Sequence, residues 1–220
     1  MLFRSDALAE SERGECVSRA DCLPPRRRPW FLDNGAFSDW LSGQRFNGAA
    51  FESKFTSPHV DADPPDFIVC PDLVASGRAS LEFSLRWRER CESLRPDRRY
   101  YLVVQDGMTV ADVSAVLQPD FAGIFVGGTV PWKFRTARAW IRLAHERGLP
   151  VHVGRCGTAD KAVWCHVHGV DSFDSSQPLW GEGPKQRFYV GLARAMRRLD
   201  GIEPQRELAF DSYLDEEPAR

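Results

Sequence analysis

Six short apolar runs recur along the chain, each cut off by polar residues or glycine. Trp30-Phe31-Leu32 stops at Asp33-Asn34-Gly35, and Phe67-Ile68-Val69-Cys70 stops at Pro71-Asp72. Tyr100-Tyr101-Leu102-Val103-Val104 stops at Gln105-Asp106-Gly107, and Ile124-Phe125-Val126 at Gly127-Gly128. Val151-His152-Val153 stops at Gly154, and Val170-Asp171-Ser172-Phe173 at Asp174-Ser175-Ser176. Between them lie segments with helical spacing. Ser80–Leu94 carries Leu81, Leu85 and Cys91 on one stripe, and Trp132–Arg147 carries Ala137, Trp140, Ile141 and Ala144 before the stop Gly148-Leu149-Pro150. Thr158–His168 and Lys185–Leu199 are similar. Continuous apolar strands alternating with helices mean βα units, because crossover helices bury both faces of a parallel sheet. With weaker units in the leader and around residues 45–60, the rhythm predicts an α/β fold: a compact, trimmed TIM-type (β/α)8 barrel. A doubly wound sheet is the alternative. Such barrels usually take about 250 residues, with about 200 near the floor.

Residues 1–28 show no clean period and end in Pro24-Pro25-Arg26-Arg27-Arg28-Pro29. They read as an irregular leader holding one short strand near Cys16–Arg19. Residues 29–200 form the expected barrel domain. Residues 201–220, acidic at Asp215-Glu216-Glu217, read as a frayed tail. With 43% hydrophobic and 27% charged residues, collagen-like repeats and wholesale disorder are excluded. No apolar run is long enough for a transmembrane helix. The amino terminus turns polar after three residues, unlike a secretory signal, so the expected address is the cytoplasm of a bacterium or a phage-infected host.

A net charge of −2 argues against indiscriminate polyanion binding. Arginine outnumbers lysine 25 to 4, which fits a GC-rich genome and also fits phosphate contact by guanidinium forks. The six cysteines are widely spaced, without a C-x-x-C pair, so no zinc ribbon or thioredoxin motif is indicated. Cys70 and Cys156 read as buried thiols. Cys165-His166-Val167-His168 is too compact for finger-type zinc spacing and reads as structural.

In a barrel, the polar residues that end the strands share one mouth. Singly, each has a plain explanation. Asp33-Asn34-Gly35 suits a hairpin turn, Asp72 a helix cap, Gly127-Gly128 a tight loop, and Asp174-Ser175-Ser176 a cap for the last helix. Their order, however, resembles the tRNA-guanine transglycosylases and their DNA-modifying relatives, from about Trp30 to Ser176. Phe31-Leu32-Asp33-Asn34-Gly35-Ala36-Phe37 is similar to that family's D-S-G-G-F segment, and Asp66–Asp72 to its D-I-V-x-x-x-D strand. Val103-Val104-Gln105-Asp106-Gly107 resembles V-Q-G-G, and Gly123–Gly128 resembles G-x-A-V-G-G. Val151–Thr158 resembles H-x-x-G-V-G-T, and Gly169–Asp174 resembles G-I-D-x-F-D.

The resemblance implies Asp174 as nucleophile and Asp33 as the group working on the leaving base. It implies Asp72, Gln105, Gly127, Gly128 and Gly157 around the base. From position alone, Phe37 or Phe125 is the expected stacking surface. Two departures matter. Of the family's zinc motif, C-x-C-x-x-C followed by a distant His, nothing follows Asp174 here, so neither a zinc site nor any other cofactor is expected. No glutamate occurs in Thr129-Val130-Pro131-Trp132-Lys133 to suit an aminomethyl substituent, which favours an uncharged base such as 7-cyano-7-deazaguanine. Both features resemble the zinc-free, DpdA-type DNA 7-deazaguanine transglycosylases of phages and mobile elements.

The expected activity is therefore replacement of guanine in DNA by a 7-deazaguanine, through a covalent Asp174-glycosyl ester of the kind retaining glycosidases form. The alternatives are the same exchange on tRNA, a plain nucleoside hydrolase, and a non-catalytic base-binding or nucleic-acid-binding module. Lys133, Arg135 and Arg138 are candidate phosphate contacts. Arg142 continues that helical face, and Arg194, Arg197 and Arg198 form a second cluster. A homodimer is a further expectation from the resemblance.

Overall fold

The structure, a computed structural model, describes residues 2–4, 13–18, 28–117 and 121–199. The expected acidic tail and most of the expected leader lie outside the described residues. Strands β1 (Leu2–Arg4), β2 (Arg13–Val17), β3 (Trp30–Leu32), β4 (Phe67–Val69), β5 (Tyr100–Val104), β6 (Gly123–Val126), β7 (Val151–Val153) and β8 (Ser172–Asp174) close into a barrel in chain order. Strands β2 to β8 are seven parallel neighbours. The closing strand, β1, runs antiparallel to both β2 and β8.

The helices follow the strands, four of them on the segments with helical spacing. They are α1 (Ala36–Leu41), α2 (Gly48–Phe55), α3 (Pro58–Ala62), α4 (Gly77–Leu94), α5 (Val110–Ser114), α6 (Val130–Glu146), α7 (Ala159–Val167) and α8 (Glu182–Leu199). Two expectations change in detail. The stretch read as leader contributes β1 and β2; strands this short leave little alternation in sequence and are held by pairing on both sides. Asp33-Asn34-Gly35 leads into α1 and turns no hairpin, since β3 and β4 are parallel.

Alternation along the strands divides the apolar side chains into two layers. Trp30, Leu32, Ile68, Leu102, Ile124 and Val126 join the cluster beneath the helices, where Ala137, Trp140, Ile141 and Ala144 of α6 pack. Phe31, Phe67, Val69, Tyr101, Val103 and Phe125 form a separate buried cluster that fills the lumen. There Phe31 stacks on Phe67 at 4.7 Å, Phe67 on Tyr101 at 4.0 Å, and Phe125 on His152 at 4.8 Å. The lumen is thus a packed aromatic floor on which a polar site can stand.

That floor dictates two glycines, Gly123 at the start of β6 and Gly154 just past β7. A Cβ at Gly123 would lie 2.6 Å from the Tyr101 ring, and one at Gly154 would lie 2.4 Å from the Phe125 ring. Both positions must lack a side chain because a neighbouring ring fills the space. Gly123→Ala is therefore expected to destabilise the fold by about 1–3 kcal/mol through overpacking. Urea denaturation checks this, and adding Tyr101→Leu should recover part of the loss.

Candidate active site

At the carboxyl ends of the strands a cavity of about 170 Å³ is lined by Asp33, Asp72, Gln105, Gly127, Gly128 and Asp174, together with Phe37, Asn34, Phe125 and Arg155. Barrel closure brings together residues from six separate strand ends and one helix. Each acidic group arrives in a different environment.

Asp174, at the end of β8, accepts two hydrogen bonds on the same oxygen. His152 Nε2 lies 3.0 Å from Oδ1, and the Arg155 backbone N–H donates to Oδ1 at 3.1 Å. No hydrogen bond among the described residues reaches Oδ2. His152 is fully buried in the lumen, with its Nδ1 2.8 Å from Ser172 Oγ. Burial lowers the imidazole's proton affinity, so neutral His152 donates from Nε2 while Ser172 donates to Nδ1. Burial by itself would push Asp174 up. The hydrogen bond and electrostatic field of His152, with the Arg155 N–H, oppose it, and the carboxyl lies below its ordinary value. The result is an ionised carboxylate, oriented at one oxygen and open at the other.

Asp33 and Asp72 are shifted the other way. Burial raises Asp33 to about 6, with the Asp174 charge adding to the shift and the Gly35 N–H and Arg155 opposing it. Burial raises Asp72 to about 7, opposed by Asn34 and Arg155. Asn34 Nδ2 donates to Asp72 Oδ1 at 2.6 Å and to Cys70 O at 2.8 Å, while its Oδ1 accepts from Ala36 N at 2.7 Å. Asn34 therefore holds Asp72 by a rigid amide whose orientation is fixed on both sides. Asp72 acts here through that contact and not as a helix cap.

Gln105 is buried, and its Oε1 accepts from Ala75 N at 2.9 Å. This fixes the amide so that Nε2 is the donor available for a ligand. Asp106 accepts from Thr129 N at 2.7 Å and from Thr129 Oγ1 at 2.6 Å, bracing the Gly127-Gly128 loop. Gly128 has φ 76°, and a Cβ there would sit 2.4 Å from the Asp106 carboxylate. Only glycine lets this loop close on the brace.

Other expected residues lie elsewhere. Gly157 does not line the cavity; it turns the chain after β7 with φ 80°, and its carbonyl accepts from Ser175 Oγ at 2.7 Å. Lys133, expected at a phosphate, is 0% exposed, and its Nζ donates to Gly154 O. Burial and the nearby Arg155 charge lower it to about 7. The first turns of α6 roll this position inward, which no charge count could reveal. Arg135, Arg138 and Arg142 are exposed. Arg135 is nearest the mouth, because α6 starts there and runs away from it. Arg194, Arg197 and Arg198 end α8 and so lie toward the opposite face.

Three site residues were not singled out from sequence: Asn34, His152 and Arg155. Their signals are the Asp33-Asn34-Gly35 stop, a histidine inside the apolar strand of the Val151–Thr158 segment, and an arginine between two strand-end glycines. As expected, Cys70 and Cys156 are buried thiols, and Cys165 is buried with its Sγ 3.8 Å from that of Cys156. Among the described residues, no group of three or more His, Cys, Asp or Glu side chains is arranged to hold a metal ion. No described helix is long and apolar enough to cross a membrane.

The raised proton affinity of Asp72 makes stability depend on pH. The folded chain keeps this proton up to about pH 7, whereas the unfolded chain loses it near 3.8. Its contribution is full below the lower value and declines as pH rises through the upper one. Asp72→Asn should flatten this decline and leave the protein more stable than wild type at pH 8, by up to about 4 kcal/mol. Denaturation curves at pH 4.5 and 8 check this.

No family model matches the chain. It is 28% identical over 192 residues to a queuine tRNA-ribosyltransferase of Methylibium petroleiphilum, covering 69% of this chain and 51% of that protein. It is 26% identical over 191 residues to one of Polaromonas naphthalenivorans, covering 69% and 49%. A third, from Neisseria meningitidis serogroup C, is 32% identical over 114 residues, covering 46% and 30%. The chain thus spans about half the length of the first two relatives. The similarity is therefore to queuine tRNA-ribosyltransferases, over 69% of this chain for the first two relatives.

Proposed function

We propose that this chain catalyses base exchange on a nucleic acid, expelling guanine and installing a 7-deazaguanine such as 7-cyano-7-deazaguanine. The observation that carries the reading is the pairing of two unlike carboxyls across one pocket. Asp174 is ionised, with Oδ2 open, and Asp33 is poised to hold or release a proton near neutrality.

Asp174 Oδ2 attacks the anomeric carbon. The glycosidic C–N bond breaks, its electron pair leaves with guanine, and the Asp33 carboxyl protonates the departing base. An ester joins the sugar to Asp174. The incoming base gives its ring proton to the Asp33 carboxylate and attacks the same carbon, and Asp174 leaves ionised. Two displacements retain configuration. The Asp72 carboxylate can accept from guanine N1–H and the exocyclic amine, while Gln105 Nε2 and the Gly128 N–H can donate to O6. Adenine would leave these buried groups unpaired.

A polymer substrate is supported by a second groove. It contains Trp40, Arg45, Phe46 and Phe83, and is continuous with the base pocket through Asp72 and Val74. Aromatic faces beside a guanidinium suit an unstacked strand, and a duplex base must be flipped out to be reached. We propose DNA as the polymer, on the sequence resemblance to the zinc-free DNA-modifying branch. The names of the relatives favour tRNA.

Incorporation of radiolabelled guanine or 7-cyano-7-deazaguanine into duplex DNA and bulk tRNA, side by side at low salt, separates the two. Label in DNA is expected, label in tRNA alone would overturn the polymer assignment, and release of guanine without incorporation would mark a hydrolase. Asp33→Ala and Asp174→Ala should each abolish turnover. Only Asp174→Ala must also abolish the denaturation-stable protein–nucleic acid adduct, so an adduct surviving in it removes Asp174 as nucleophile.

His152→Leu should lower kcat by about 10²-fold, the scale of a lost positioning contact. It should also move the acidic limb of the pH–rate profile upward, because Asp174 loses the donor that keeps it ionised. An unmoved limb would restrict His152 to packing.

A further inference from the structure

Arg155 is the one charged side chain of the pocket that the proposed chemistry leaves without a task. Its Cζ lies 3.4 Å from the centroid of the Phe37 ring, the separation of two stacked planar groups. Its Nη2 donates to Gly128 O at 2.8 Å. Its charge interacts with Asp33, Asp72 and Asp174. The guanidinium therefore lies over the aromatic face, against the glycine loop and among the carboxylates that would read a base. Its backbone has φ 51°, a left-handed conformation that strains a residue with a side chain. Such strain persists where surrounding contacts hold the residue in place.

A guanidinium is a planar carbon bearing three nitrogens, with N–H donors along its edges. Guanine contains the same unit at C2, bonded to N1, N3 and the exocyclic amine, and 7-deazaguanines keep it. Adenine, cytosine and thymine have no such unit. We propose that Arg155 is a resident stand-in for the guanidine edge of a guanine-type base, occupying the slot over Phe37 until a base displaces it.

This inference deepens the base-exchange reading and rests on it for the identity of the displacing ligand. Two consequences follow. Base affinity is reduced by the fraction of molecules in which the slot is self-occupied. Displacement also takes away the cation that opposes protonation of Asp33 and Asp72; the N1–H and amine donors of the base replace it at Asp72, so the shift falls on Asp33. Asp33 is thereby driven toward its protonated form as the base enters, which is the form that can protonate a leaving group.

The test is equilibrium dialysis of the full chain with radiolabelled guanine and, separately, radiolabelled methylguanidinium. Arg155→Gly removes the side chain and relieves the left-handed backbone. Arg155→Lys keeps the charge without the planar stack. Arg155→Gly should bind methylguanidinium in the millimolar range where wild type binds none. It should also bind guanine about tenfold more tightly than wild type, the size expected for losing one stacked, hydrogen-bonded competitor. Arg155→Lys should fall between them, and it carries the guanine comparison by itself if Arg155→Gly does not fold. Guanine bound no more tightly by the variants, or methylguanidinium ignored by folded Arg155→Gly, overturns the proposal. Methylguanidinium bound by Arg155→Gly with guanine bound by neither protein would uphold self-occupancy and count against base exchange.

Discussion

A three-residue strand holds the two ends of the barrel together. Leu2 of β1 lies opposite Gly14 of β2 and opposite Asp174 of β8, in antiparallel register on both sides. Without it, β8 would be an edge strand, its backbone groups unpaired on one side and its terminal aspartate positioned from one side only. With it, the sheet has no edge. The parallel strands then end at one mouth, and residues separated by more than 140 positions, Asp33 and Asp174, face one cavity of about 170 Å³.

Within that cavity, three aspartates of identical intrinsic acidity are set to different proton affinities by what surrounds them. Asp174 receives two donors on one oxygen, one of them from an imidazole that the aromatic lumen keeps neutral. Asp33 and Asp72 are desolvated with fewer compensating donors and stay near neutrality. Divergent environments for like groups are how acid, base and nucleophile roles are separated at one pH. The same desolvation costs stability, and the cost falls on residues the packing does not need.

The support beneath the site is as specific as the site. His152 belongs both to the lumen stack, on Phe125, and to the Asp174 contact, so packing and electrostatics are fixed by one ring. Lys133, buried under the β7 loop and donating to Gly154 O, braces the backbone that presents Arg155. Asp106 braces the Gly127-Gly128 loop from the neighbouring strand end. A cavity flanked by three such braces has little freedom to deform, and under the proposed base exchange selectivity between bases depends on that rigidity.

The apolar runs of β3 to β8 and the stripes of α4, α6, α7 and α8 were legible in the sequence, because burial on both sheet faces and on one helix face leaves a local period. The polar residues and glycines that stop those runs were legible too, and Asp33, Asn34, Asp72, Gln105, Gly127, Gly128 and Asp174 do meet at one cavity. For β2 the sequence marks only a short strand near Cys16–Arg19, and nothing local marks β1, whose few residues owe their conformation to neighbours far along the chain, nor the short helices α1 and α5, which are too brief for a period. Nor does local sequence separate Lys133, rolled inward at the start of α6, from Arg135, left outside two residues later. The sequence by itself determined the order of strands and helices and the identity of the groups at their ends, since both depend on neighbours within a few residues. Only the tertiary structure decided which carboxyl is ionised, that His152 orients Asp174, and that Arg155 fills the slot over Phe37. Those outcomes depend on burial and on distances between residues that are remote in sequence until the barrel closes.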